Sequence, residues 1–568
     1  MIPFVDLRTQ YRSIKTEIDD ASLAGVPPRE RVVPVRWPGI QARTAGMLVL
    51  LFALTAAFRF LALKFGFVND HFEYVSGGRQ MLFGEWPTRD FIDPGQPLMF
   101  AASALAQRVF GQTLFAEGML VAIAFGLAAA FTAAAVRQLT GSIALAILAA
   151  LFEIAVFPRT YSYPKILAYA FAFWLYGRYL ARPDLRRLFA IAAGVAIAFL
   201  FRHDHGLFLW AGGVLTAALN LESTSWKRPA RAAAVLTAFV VLLLLPYLIY
   251  VQVHGGLWQY FRTGVEYGSR EASRQWHVWP RIFGDARPLE SALVYELYLL
   301  PAIAIAVVLA GRARADARAV AVRVLPLAVV ALLVNVTFIR DPLSTRLADA
   351  IVPAVMLGAW LLARTRNASA SRALAIPIAM VCTGLMGASV LAVGHTRDEI
   401  DRAGLLGHAE EIPGRFVERT ADLRARFTDY QLPSRAARRL LPFFRYVDRC
   451  TSTTDRILVG GYLPEIPFYA RRMFAAGQEY FGGYYSSDAN QRFAYDHLRR
   501  QSVPLVIIST DYQQEFDSRF LLVAGYVHAR YALLTDVPVD DGLTIRILVS
   551  RDMPAAARDP ETGWPCFR

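Results

Sequence analysis

The chain has 568 residues, 55% of them hydrophobic and 19% charged, with a formal net charge of +14 and a mean hydropathy of +0.35. That balance excludes one ordinary soluble domain, because the apolar excess is grouped into long runs. The positive charge does not argue for nucleic acid either, since the arginines fall in connections between the apolar runs rather than along one solvated face.

Residues 1–44 read as a cytoplasmic tail. The first 22, MIPFVDLRTQYRSIKTEIDDAS, are charged and carry Ile14 and Ile18 one turn apart, which is compatible with a short amphipathic helix. This opening resembles that of the vitamin-B6-dependent, DegT-type sugar aminotransferases, which start with PFVDL before a helix. Nothing downstream continues that pattern, and no aminotransferase function is expected. No apolar core with a small-residue cleavage site precedes Ala45, so the first apolar run is expected to be retained as an anchor.

A bilayer core about 30 Å thick requires about 20 mostly apolar residues per helical span. Eleven runs are candidates: Ala45 to Leu63, Leu114 to Val136, Ser142 to Phe157, Tyr163 to Ala181, Leu188 to Phe201, Gly206 to Leu219, Ala232 to Val253, Ser291 to Ala310, Ala319 to Ile339, Leu347 to Ala363 and Ala373 to Val393. The third, fifth and sixth are short. Basic residues occupy alternate connections: Arg178, Arg182, Arg186 and Arg187, then Lys227, Arg228 and Arg231, then Arg312, Arg314 and Arg318, then Arg364, Arg366 and Arg372. By the positive-inside rule these four face the cytoplasm, which places the N-terminus inside and everything after about His395 outside.

The first outer loop, residues 64–113, holds NDHFEYVSGG at Asn69 to Gly78. A helix there puts Asp70, Glu73 and Tyr74 on one face; a loop with its acids in water is the other reading. A partly desolvated carboxylate at this boundary is suited to accept a proton. PLMFAASALAQRVF (Pro97 to Phe110) has too short an apolar core to cross and reads as an amphipathic helix in the outer interface.

Other polar groups converge on the same predicted surface. FPRTYSYPK supplies Arg159, Tyr161, Tyr163 and Lys165; FRHDHG supplies Arg202, His203, Asp204 and His205; FIRDPLSTR supplies Arg340, Asp341 and Arg346. Orientation does not explain outer arginines, and Arg and Lys at headgroup level suit a phosphate ester. Snorkelling anchors, an Arg340–Asp341 ion pair and belt tyrosines are the structural alternatives. His203 and His205 invite a metal, but no third ligand is evident, so no metal or other cofactor is expected. Glu153, within the third span, is costly in lipid and so is expected to face a cavity or partner.

After His395 the composition becomes that of a soluble domain. DRILVGGY (Asp455 to Tyr462), VPLVIIST (Val503 to Thr510) and LTIRILVS (Leu543 to Ser550) read as strands, with a helical NQRFAYDHLRRQ between the first two, which suggests a small α/β sheet. Gly460-Gly461 follows a strand without completing a dinucleotide fingerprint. Cys450 and Cys566 either pair, tying the C-terminus back, or stand as separate thiols.

The first outer loop resembles that of the GT-C superfamily of integral membrane glycosyltransferases, the group including protein O-mannosyltransferases and lipid A aminoarabinose transferases. The match is Asp70, Tyr74, Gly84 and Pro87 in NDHFEYVSGGRQMLFGEWP, then DPGQPLMF at Asp93 to Phe100. That group often has two adjacent acids, whereas here Asn69-Asp70-His71 leaves Glu73 displaced. The resemblance implies an α-helical polytopic membrane protein with about eleven transmembrane helices: a catalytic part over 45–394 and an extracytoplasmic α/β domain over 395–568. It implies a bacterial inner-membrane enzyme that moves a sugar from a polyprenyl-phosphate donor to the hydroxyl of an envelope glycan, lipid or protein, inverting the anomeric carbon. Asp70, with Glu73 beside it, would be the base; Lys165, Arg202, Arg340 and Arg346 would hold the donor phosphate; Tyr74, Tyr163, His203 and Glu153 would shape the pocket. The competing readings are a transporter or flippase of envelope lipids, which an absent internal repeat disfavours, and a non-catalytic envelope-assembly subunit.

Overall fold

The computed structural model describes residues 42–67, 69–220, 227–274, 288–313, 315–338, 347–365, 372–407, 409–540 and 542–568. The tail helix expected near Ile14 and Ile18 lies outside the described residues, as do Arg340, Asp341 and Arg346.

The chain is mostly helical. Its bundle runs α1 (Ala42–Leu61), α2 (His71–Leu82), α3 (Pro97–Phe110), α4 (Leu114–Thr140), α5 (Ile143–Ala155), α6 (Tyr163–Ala181), α7 (Leu185–Phe201), α8 (His203–Leu219), α9 (Lys227–His254), α10 (Leu257–Arg274), α11 (Pro288–Ala310), α12 (Ala317–Phe338), α13 (Leu347–Thr365) and α14 (Arg372–Val393). Apolar runs become helices because lipid offers the backbone no partner, so each N–H and C=O must bond within its own segment. Local chemistry sets the ends. Left-handed Gly141 closes α4, the Ser142 hydroxyl accepts the Leu145 N–H at the start of α5, and the Asp184 carboxylate accepts the Arg187 N–H at the start of α7.

Each of the eleven predicted runs contains a helix. Among the described residues, however, five are long and apolar enough to cross a membrane by length and composition, those within α1, α4, α9, α11 and α12. The 13 residues of α5 reach only about 20 Å at the helical rise, and the 17 each of α7 and α8 only about 26 Å. α14 continues into a short helix, Thr396–Arg402, bent from it by 50°.

The C-terminal part carries a five-stranded sheet of order β2-β1-β3-β5-β4, made of β1 (Arg456–Gly460), β2 (Met473–Phe474), β3 (Leu505–Ser509), β4 (Tyr531–Asp540) and β5 (Leu543–Ser550). β1 lies parallel to β2 and β3, whereas β5 runs antiparallel to β3 and β4. The three predicted strands are present; β2 and β4 were not expected. β2 is two residues long, and β4 is an edge strand that carries Pro538 and two irregularities of register, where alternation is weakest. Cys450 and Cys566 are bonded to each other.

This part docks on α2 and the segment after it. Arg456 meets Glu85, the Gln80 side chain donates to Phe474 O at 3.2 Å, and the Phe72 ring packs on Phe468 and Tyr469 at 5.4 and 5.3 Å.

Candidate active site

A cavity of about 700 Å³ opens where α2, α6, the α7–α8 junction, α10 and the C-terminal part meet. On one wall stands the start of α2. The Asn69 carboxamide accepts the His71 N–H at 2.9 Å and donates to Phe65 O at 2.7 Å, while the His71 ring turns inward to Glu117, 3.0 Å away. Both flanking polar residues therefore serve the chain. Asp70 makes no capping bond and lines the cavity, where its carboxylate accepts the Tyr462 hydroxyl. Glu73, one turn on, accepts the Tyr480 hydroxyl at 2.8 Å. Tyr74 donates to Gln96 at 3.3 Å; burial, then the charges of Glu73 and Asp70, push its phenol well above the usual range, so it remains a donor. Tyr161 is raised in the same way, by burial and then by Asp70.

Basic side chains line the cavity as well. Lys165 projects from the first turn of α6, and its ammonium lies 2.9 Å from Asp349 on α13. Arg202 occupies the extended break between α7 and α8, its Nε 3.0 and 3.2 Å from the two Asp204 oxygens. Arg159 donates to Tyr161 at 2.6 Å. The loop that carries Arg159 is pinned from behind: Arg59 donates to Pro158 O at 2.7 Å, with its guanidinium stacked between Phe125 and Phe157 at 3.8 and 3.9 Å.

A second wall forms around Asp93. One of its oxygens accepts the Gly95 and Gln96 N–H groups at 2.9 and 2.8 Å, and the other accepts the Tyr260 hydroxyl at 2.8 Å. His203 stacks on Phe199 with ring centres 4.1 Å apart and faces Tyr260 at 3.3 Å. His205 instead bonds Tyr169.

Of the residues singled out in the sequence, Asp70, Glu73, Tyr74, Lys165, Arg202 and His203 line this one cavity, as do Arg159, Tyr161, Asp204 and His205. Tyr163 and Glu153 do not. Tyr163 is buried with its ring edge-on to Phe201, and Glu153 is buried within α5; the helical turn at each position aims the side chain into the bundle. Tyr260, Tyr462, Tyr480 and Asp349 were missed. Tyrosines abound in the sequence, and nothing in their local pattern separates these from belt positions.

No family model and no curated protein matches the chain. Among the solved structures similar to it are two of ArnT from Cupriavidus metallidurans. One is in the apo state, at 15% identity over 89% of this chain and 98% of that one, TM-score 0.44. The other is bound to undecaprenyl phosphate, at 15% identity over 89% and 99%, TM-score 0.45.

Proposed function

We propose that this chain is a membrane glycosyltransferase that transfers a sugar from a polyprenyl-phosphate carrier to an acceptor hydroxyl on the outer face of a bacterial inner membrane. One observation carries the reading: one cavity is lined by the carboxylates Asp70 and Glu73 together with Lys165, Arg202 and Arg159. Carboxylates alone would suit a cation site, and cations alone an anion site. Gathered around one volume of about 700 Å³, they suit a reaction in which one substrate loses a proton while the other releases a phosphate.

In that reaction the acceptor oxygen attacks the anomeric carbon and its proton passes to Asp70. The bond from that carbon to the phosphate oxygen breaks, the phosphate leaves with the electron pair, and the configuration inverts. The leaving phosphate is a stable anion and needs no strong acid, so the work of the basic side chains is to stabilise growing negative charge. Ion pairing to Asp349 and Asp204 holds Lys165 and Arg202 in place for that task. Residues 45–394 would then be the catalytic membrane part, with 395–568 outside.

Purified protein incubated with radiolabelled polyprenyl-phosphate sugars and an envelope extract as acceptor is expected to consume the lipid-linked sugar, and Asp70→Asn to abolish consumption while retaining donor binding. Equal turnover by the parent and Asp70→Asn sinks this assignment. Movement of the intact lipid across vesicles without loss of its sugar establishes a flippase instead.

A further inference from the structure

The C-terminal part does more than sit beside the cavity. Strand β1 ends in Gly460-Gly461, and Gly461 adopts φ +90°. A Cβ there would lie 3.1 Å from Tyr512 Cβ and 3.2 Å from Ser509 Cβ, so a glycine is required both by conformation and by space. This turn delivers Tyr462 into the cavity. Beside it, Gly460 bridges Phe481: the Phe481 N–H donates to Val459 O at 2.8 Å and the Gly461 N–H to Phe481 O at 3.2 Å. The bridge fixes Tyr480, the residue before Phe481, next to Tyr462, with the two rings edge to face at 5.0 Å. The same short piece of sheet thus aims two hydroxyls at two carboxylates, Tyr462 at Asp70 and Tyr480 at Glu73.

We propose that Tyr462 and Tyr480 are positioning residues that clamp the Asp70 and Glu73 carboxylates, making the C-terminal part a structural half of the active centre. The inference rests on the glycosyltransferase reading for what the carboxylates do, but the clamp is a matter of geometry. A carboxylate on the first turn of a helix has rotamer freedom, and a general base works only when its oxygen is held along the line of proton transfer. A phenol donating to a carboxylate oxygen fixes the rotamer in which that group meets the acceptor hydroxyl. Besides Tyr462, Tyr74 on the same helix and Tyr161 on the neighbouring loop feel the Asp70 charge. Behind α2, burial and then the Glu73 charge push the Glu479 carboxyl well above the usual carboxylate range.

The test uses the full-length protein in detergent, with labelled polyprenyl-phosphate sugar as donor, and compares the parent with Tyr462→Phe, Tyr480→Phe and Asp70→Asn. Each phenylalanine variant is expected to lose roughly tenfold in kcat with KM nearly unchanged. A substrate-independent measurement accompanies it: the rate at which a carbodiimide labels Asp70 and Glu73, read by mass spectrometry, is expected to rise in the matching variant. Unaltered kcat and labelling in both variants overturn the clamp, as does a lower melting temperature with those two unchanged, which is mere docking. If Asp70→Asn keeps full turnover, the glycosyltransferase reading fails separately, and the labelling rates alone then uphold or reject the clamp.

Discussion

Asn69, Asp70 and His71 are three consecutive polar residues with three different partners: backbone, cavity and buried Glu117. Spacing marks all three as polar and ranks none, because which way each side chain points depends on where α2 begins. A second case at this scale is Glu465, fully buried in the helix Glu465–Ala470. Burial pushes its carboxyl well above the ordinary carboxylate range. The folded state therefore keeps a proton that the unfolded chain has given up, and stability falls as pH rises from the ordinary carboxylate pKa toward the raised one. Glu465→Gln removes that titration. Thermal melts across this window are expected to show a shallower decline for the variant than for the parent, with the two converging at acid pH. Parallel curves would rule out Glu465 as the source of the slope.

Among elements, the turn after β1 and the disulfide carry the clearest expectations. Gly461→Ala places a side chain at φ +90° against Tyr512 and Ser509, and is expected to cost about 1–2 kcal/mol. It should also lower kcat by displacing Tyr462, an effect visible in initial rates on material that still binds donor. Cys450 and Cys566 are 116 residues apart and enclose all five strands of the sheet. Their bond is expected to contribute roughly 4 kcal/mol by restricting the unfolded chain. Cys566→Ser, or reduction of the parent, should lower the denaturant midpoint of the C-terminal part; an unchanged midpoint would show that the strands and their packing suffice.

For the whole molecule, charge and cavity lie at opposite ends. α6 begins with Lys165 in the cavity wall and ends at the Arg178–Arg187 connection; α13 begins near Asp349 and ends at Arg364. The cavity is thus at the end away from the basic connections, where the positive-inside rule puts the outer face. A phosphatase fused after Arg568 is expected to be active in intact cells, and the same reporter placed in the Arg312–Arg318 connection inactive; the reverse pattern inverts the orientation.

Hydropathy and the placement of charge are properties of the chain read one residue at a time. From them come the helical bundle, three of the five strands, and Asp70, Glu73, Lys165 and Arg202, which line one cavity. The short helices read as spans show the limit of the method, because composition marks an apolar run but its ends decide its length. The join between Tyr462 and Asp70, 392 residues apart, and between Tyr480 and Glu73, 407 apart, was decided only in three dimensions. A hydrogen bond acts over about 3 Å, and sequence holds no record of which distant residues approach that closely. Asp349 escaped for the same reason: at the head of an apolar run it looks like any boundary acid until α13 packs against α6 and sets it beside Lys165.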